Sequence, residues 1–379
     1  VLFVFPKRND WKECQNLYCA ALPARVLKTS RIANILKIKN GELLDYGIPS
    51  SNPFGCKKPS HSIDIAGVTG PSAPSIIQNT HMKHLSPLRY PGGKASLAGF
   101  LTDVIDLNEL RGCHYFEPFA GGAGAALALL VEGVVAEISI NDADIRIFSF
   151  WKAVLEDSHR FIDKVFSVPL TLDEWHNQRD VCGDPAIHDS FDVGFAAFYM
   201  NRCNRSGVLT GAGPIGGLHQ SGKWTLGVRF SREPLAKRVI ELSKFRDRIH
   251  LSCSDSIDFL KNALPFGKAR RNVFVYLDPP YVNKGQRLYL NAYKHRDHVG
   301  IARYLNGQKT LPWLLSYDDD TLIRELYQDR HVFNLPIRYS LQKKRSASEL
   351  IICSDRLMMP RSSRISGKDA VIPQSEICV

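Results

Sequence analysis

The chain has 379 residues, 44% of them hydrophobic and 23% charged, with a formal net charge of +11. That balance excludes a wholly disordered chain, and no apolar run reaches the roughly 20 residues of a membrane helix, since AALALLVEGVVAEISI is broken by Glu132 and Gly133. The positive charge favours a polyanionic partner, because each phosphate neutralised by Lys or Arg releases counterions.

The 9 cysteines are scattered, with no CxxC pair and no zinc-finger spacing to histidine, and read as reduced thiols. The opening VLFVFP is too short and badly flanked for a signal peptide. A cytoplasmic protein is expected.

Residues 1–81 show little periodicity, and their second half is rich in Ser, Pro and Gly. Met82 stands just ahead of the first well-patterned segment, so 1–81 is expected to be a disordered extension or sequence upstream of the natural start. In RYPGGKAS a P-loop is excluded, because the required first glycine falls at Leu88 and no strand precedes it. The stretch reads instead as a turn that places Tyr90 and Lys94 beside a site.

CHYFEPF then reads as a buried strand, GAGAALALLVEG as a helix, AEISIND as a second strand and IRIFSFWKAVLED as a second helix. That succession is the βαβ pattern of a parallel sheet. The glycines of FEPFAGGAG, from Phe116 to Gly124, would let the backbone approach a nucleotide at a helix N-terminus. Roughly 20 residues on, the second strand ends at Asn141 and Asp142, where an acid can bond ribose hydroxyls. A nucleoside-containing cofactor is implied, although the spacing is not GxGxxG and such a turn also serves tight packing alone.

From 151 to 248 the strand signal fades and helical and loop material takes over, including the Gly-rich, basic NRCNRSGVLTGAGPIGGLHQSGKW. Strands return in RIHLSC, NVFVYL, LPWLLSY, HVFNLPI and ELIICS, so one sheet is interrupted by an insertion. NVFVYL should end at the carboxyl edge of the sheet and deliver Asp278 there.

Pro279 and Pro280 lack an N–H and stiffen the chain, so that carbonyls beside Asp278 can act as acceptors. Tyr281 offers a face on which a base can stack. Acceptors beside a ring suit an exocyclic amino group: holding its hydrogens draws the nitrogen towards tetrahedral geometry and favours attack on an electrophilic methyl. A strand followed by a proline turn and a capping acid reads equally well from these residues alone.

LRYPGGK, FEPFAGGAG, the strand ending in Asn141 and Asp142, CSDSIDFL and VYLDPPY occur together in an order that resembles the Dam-like DNA adenine-N6 methyltransferases, from Leu88 to about Asp355. The resemblance implies an α/β fold: a Rossmann-like S-adenosylmethionine-dependent methyltransferase sheet (82–150 and 249–358) with an inserted, mainly helical DNA-recognition region (151–248) and a tail, 359–379. It implies cofactor contacts at Tyr90, Lys94, Glu117, Pro118, Phe119, Gly121, Gly122, Gly124, Asp142, Asp255, Ser256 and Asp278, and a catalytic tetrad of Asp278, Pro279, Pro280 and Tyr281. Asp142 and Asp255 could each equally cap a helix.

The implied reaction extrudes an adenine from double-stranded DNA and methylates its amino group by direct displacement, with no metal and possible action as a monomer. In the insertion, Arg202, Asn204, Arg205, Lys223 and Arg229 are the candidate DNA contacts, with Arg232 and Arg246 nearby. Tyr289, Tyr293, Asp297 and His298 resemble a segment that closes over the target base. LQKKRSASEL is expected to link two terminal strands as a hairpin.

A cytosine-N4 methyltransferase makes the same demands on the tetrad, and Asp at its first place tilts the choice to adenine by resemblance. A silent DNA-binding protein of the same fold and a nicotinamide oxidoreductase are the readings from other classes.

Overall fold

The structure is a computed structural model that describes residues 85–89, 94–282, 293–339, 345–365 and 368–371. The expectations for residues 1–81, Tyr90 and Tyr289 lie outside these residues.

Strands β1 (His114–Glu117), β2 (Glu137–Asn141), β3 (Ile249–Ser252), β4 (Val273–Leu277), β5 (Trp313–Asp318), β6 (His331–Tyr339) and β7 (Arg345–Cys353) form one sheet, in the order β3-β2-β1-β4-β5-β7-β6. The first five are parallel, whereas β7 runs antiparallel to both β5 and β6. β6 and β7 follow one another too closely for a crossover helix, and only an antiparallel pair can close over a short link. The expected link is also shorter than the sequence reading had it, because β7 already begins at Arg345.

β4 is buried along its whole length, as a central parallel strand must be. Val273, Val275 and Leu277 alternate to one face with Trp313, Leu315 and Tyr317 of β5. They pack there against α8 (Ser256–Ala263), α9 (His295–Asn306) and α10 (Thr321–Leu326), through Phe259, Leu260, Ile301, Leu305 and Ile323. Across the sheet, α1 (Ala98–Leu107) packs on α2 (Gly124–Val131), α2 on β1 and β2, and α3 (Ile145–Glu156) on β3. α3 starts at an Asp144 cap whose carboxylate accepts from Arg146 N, and buries Ile147, Phe150, Trp151 and Val154 at helical spacing.

Between β2 and β3 the chain is mainly helical, with α4 (Ser158–Ser167), α5 (Leu172–Gly183), α6 (Ser190–Cys203) and α7 (Arg232–Ser243) following α3. α6 lies so close to α3 that a Cβ on Gly194 would sit 2.2 Å from the Ser149 carbonyl oxygen. Phe150, Phe161, Phe195 and Phe198 fill the space around this contact. The expected start of the insertion at 151 therefore falls inside a helix rather than at a linker. Part of the expected tail, β8 (Ser362–Ile365) and β9 (Lys368–Val371), forms an antiparallel pair, and Ser363 donates a hydrogen bond to Asp103 on α1.

No described helix is long and apolar enough to cross a membrane.

Candidate active site

In this strand order the chain runs outward from β1 to β3 and then returns to the other side of β1 as β4. The carboxyl ends of β1 and β4 thus flank the topological switch point, where open α/β sheets leave a crevice for a ligand. β1 leads there into the glycine turn and β4 into Asp278.

The turn is held from three sides. Gly121 and Ala123 both adopt φ of +47°. Gly121 N donates to Asp142 Oδ2 at 2.9 Å, and Gly121 O accepts from Trp151 Nε1 at 2.9 Å. Asn141 Nδ2 donates to the Pro118 and Ser254 carbonyls, both at 3.0 Å, joining the turn after β1 to the turn after β3.

Gly124 is tight for a different reason: its Cβ would stand 3.0 Å from that of Ala95, which would have to give way. The short 3-10 turn Lys94–Leu97 rests on that bare spot, and this seats Lys94 at the crevice.

Glu117 is buried and accepts from Tyr115 Oη at 3.1 Å. Burial pushes its carboxyl up to about 8 against the pull of Tyr115, and burial likewise raises Asp142 to about 6. Asp142 Oδ1 also accepts from Asp144 N at 2.9 Å, so the acid read as a ribose ligand is at the same time the clamp of the glycine turn. Asp255 caps α8 by accepting from Ile257 N and Asp258 N, the alternative left open in the sequence. Phe119 meets Tyr293 edge to face at 5.7 Å between centroids, and Tyr293 Oη lies 3.1 Å from Ser256 Oγ. His298 is buried with Nδ1 2.8 Å from Tyr317 Oη, a core contact.

On the β4 side, Asp278 Oδ1 accepts from Ser316 Oγ at 2.9 Å and lies 3.1 Å from Lys94 Nζ. Lys94 Nζ also reaches Tyr281 Oη at 2.8 Å and Glu349 Oε1 at 2.9 Å. Burial works against this ammonium, but Asp278 and Glu349 outweigh it and hold Lys94 well above the ordinary lysine value. Pro279 is buried and Pro280 half-buried beside them. Sequence reasoning missed Glu349, although an acid heading the apolar run ELIICS was a visible signal.

Two of the expected DNA contacts, Arg202 and Asn204, are buried. Arg202 is 7% exposed, donates to the carbonyls of Pro87 and Arg229, and is pushed down to about 9 by burial. Asn204 is fully buried, accepting from Trp175 Nε1 at 2.8 Å and donating to Val208 O at 2.7 Å. Both shape the loop from within, because a chain rich in glycine has few side chains of its own to fix it. Arg205, Lys223 and Arg229 are exposed, with the Lys223 ammonium 5.5 Å from the ring of exposed Trp224. Arg246 is exposed too, whereas Arg232 is tied to the carbonyls of Val165 and Val168.

At the opposite ends of the strands, His114, Glu137 and His250 bring three potential metal-ligand atoms within 4.8 Å of one another. Each has a protein partner: His250 Nε2 pairs with Glu137 at 2.7 Å, and His114 Nε2 with Ser139 Oγ at 2.8 Å.

The family model described as D12 class N6 adenine-specific DNA methyltransferase matches residues 90–211 and 216–343, more than half of the chain. A solved structure described as a conserved hypothetical protein from Streptococcus pyogenes is similar over 65% of this chain and 88% of its own, at 10% identity and a TM-score of 0.26, too slight a likeness to bear on function.

Proposed function

This chain belongs to the D12 class N6 adenine-specific DNA methyltransferase family and is an adenine-N6 DNA methyltransferase; from that premise we propose that it methylates double-stranded DNA site-specifically, with S-adenosylmethionine as donor and the target adenine swung out of the duplex. The observation that carries this reading is that the glycine turn and Asp278 leave adjacent, parallel-paired strands at one switch point.

The residues around the turn suit a cationic nucleoside. Glu117 and Asp142 are buried carboxyls whose ionisation burial opposes, so a positive ligand would favour their charged forms. Phe119, the 121–124 turn, Asp142, Asp255 and Ser256 would hold the cofactor, which when bound supplies an electrophilic methyl group on a sulfonium.

The amino nitrogen of adenine is a weak nucleophile because its lone pair is conjugated with the ring. Asp278, held by Ser316 and Lys94, would accept one amino hydrogen, and the Pro279 carbonyl is the candidate for the other. Tyr281 presents a ring to the extruded base, steadied by the bond from its hydroxyl to Glu349. The exposed Arg205, Lys223, Trp224 and Arg229 are the DNA-facing candidates, a basic and aromatic set suited to backbone contact.

The test is transfer of a labelled methyl group from S-adenosylmethionine to unmethylated duplex DNA, with Asp278→Ala as control. Label in N6-methyladenine that the variant fails to incorporate is the expected result. A wild type that binds DNA and cofactor but labels nothing ends the proposal. Heat stabilisation by NAD rather than by S-adenosylmethionine would favour an oxidoreductase instead.

A further inference from the structure

Glu349 is a buried acid that the mechanism has so far used only as a tether for Tyr281. Its side chain is 2% exposed, and its Oε2 has no hydrogen-bond partner among the described residues. Stability does not account for such a group, since a buried carboxylate oxygen without a donor costs more than a hydrocarbon of the same size. Its position offers a better reason. Glu349 enters the cluster from β7, opposite Asp318 of β5, and its Oε1 meets the same ammonium that touches Asp278.

An ammonium at 3.1 Å from Asp278 Oδ1 is a mixed asset. It steadies that carboxylate in place, but paired with Asp278 alone it would draw electron density from the oxygens that must accept from the target amine. A second carboxylate at 2.9 Å competes for the same charge and divides its pull. Tyr281 Oη completes the set by donating to Glu349.

We propose that Glu349 is a positioning residue for the methyl transfer argued above, on which this inference rests: it shares the Lys94 ammonium with Asp278 and so preserves Asp278 as an acceptor for the adenine amino group. The charge of Glu349 is what matters, beyond its ability to accept a hydrogen bond. Burial raises the carboxyl and Lys94 opposes that rise. A glutamine reproduces the protonated acid, and this makes the substitution decisive.

The experiment is a double-mutant cycle of Glu349→Gln and Lys94→Met, read as kcat and KM for methyl transfer to duplex DNA. In the Lys94 background, Glu349→Gln is expected to lower kcat roughly 10-fold or more, with both KM values within about 2-fold of wild type. In the Lys94→Met background the same change should cost nothing further, because no ammonium remains to be shared. Thermal unfolding of Glu349→Gln near the wild-type midpoint would show that the fold is kept. Wild-type kcat in Glu349→Gln, or an equal loss in both backgrounds, overturns the proposal. Should the wild type transfer no methyl group, the functional reading fails separately. The cycle is then read on the unfolding midpoint, where non-additive effects support the shared ammonium and additive ones refute it.

Discussion

Asn201 and Arg89 exchange two hydrogen bonds: Arg89 N donates to Asn201 Oδ1 at 2.6 Å, and Asn201 Nδ2 donates back to Arg89 O at 2.9 Å. One buried amide at the end of α6 thereby fixes the segment that runs towards Lys94. The same Nδ2 also donates to Gly207 O at 2.9 Å, which binds the basic loop to that segment.

Asn201→Ala leaves these backbone groups without partners and should lower stability by about 1–3 kcal/mol. Methyl transfer should fall with it, because Arg89 and the basic loop lose their common anchor. Denaturant unfolding beside initial rates checks this; a change in stability with an unchanged rate would show that the segment is held elsewhere.

The two arginines of NRCNRSG should behave differently. Arg205→Ala is expected to weaken DNA binding, reduce its salt dependence by about 0.9 in log–log slope per lost phosphate contact, and leave the unfolding midpoint unmoved. Arg202→Ala should instead lower the midpoint, because its guanidinium holds carbonyls rather than solvent. Affinity titrations at several salt concentrations separate the two.

Glu117 gives stability a pH dependence of definite sign. Burial raises its carboxyl from 4.5 to about 8, so the folded state retains a proton that the unfolded chain gives up. Its contribution is fully present below pH 4.5 and is lost as pH rises through 8, at up to about 1.4 kcal/mol per pH unit. Glu117→Gln should therefore flatten the decline of the unfolding midpoint across this window. An unchanged slope would place the proton elsewhere.

Gly194→Ala sets a methyl group against the Ser149 carbonyl, a backbone atom that cannot rotate away. A loss of about 1–3 kcal/mol or more is expected, read as a lower unfolding midpoint. Ala at Gly183, where a Cβ meets nothing within 4 Å, should leave the midpoint unchanged or higher.

Much of the frame was legible because parallel strands buried on both faces read as apolar runs: VFVYL and WLLSY could scarcely lie elsewhere. The glycine turn was legible too, though not the reason for its last residue, since the approach of Ala95 to Gly124 is a tertiary contact. Glu349 escaped because its place depends on β7 lying beside β5, a pairing no local pattern records. The burial of Arg202 and Asn204 was not legible, because an arginine or asparagine among glycines looks the same whether it faces solvent or carbonyl oxygens. Asp142 shows a third limit, for a carboxylate that reads as a ribose ligand is also the clamp of a turn.

Neighbouring residues of α3 serve opposite clients: Trp151 grips the glycine turn, while Phe150 stacks on Phe198 of α6. The helix is thus a beam shared by the two halves of the chain, not a hinge between them. Anyone wishing to transplant the helical segment into another enzyme would have to leave 145–156 with the sheet and rebuild the aromatic seam, since a splice at 151 would cut through the beam itself.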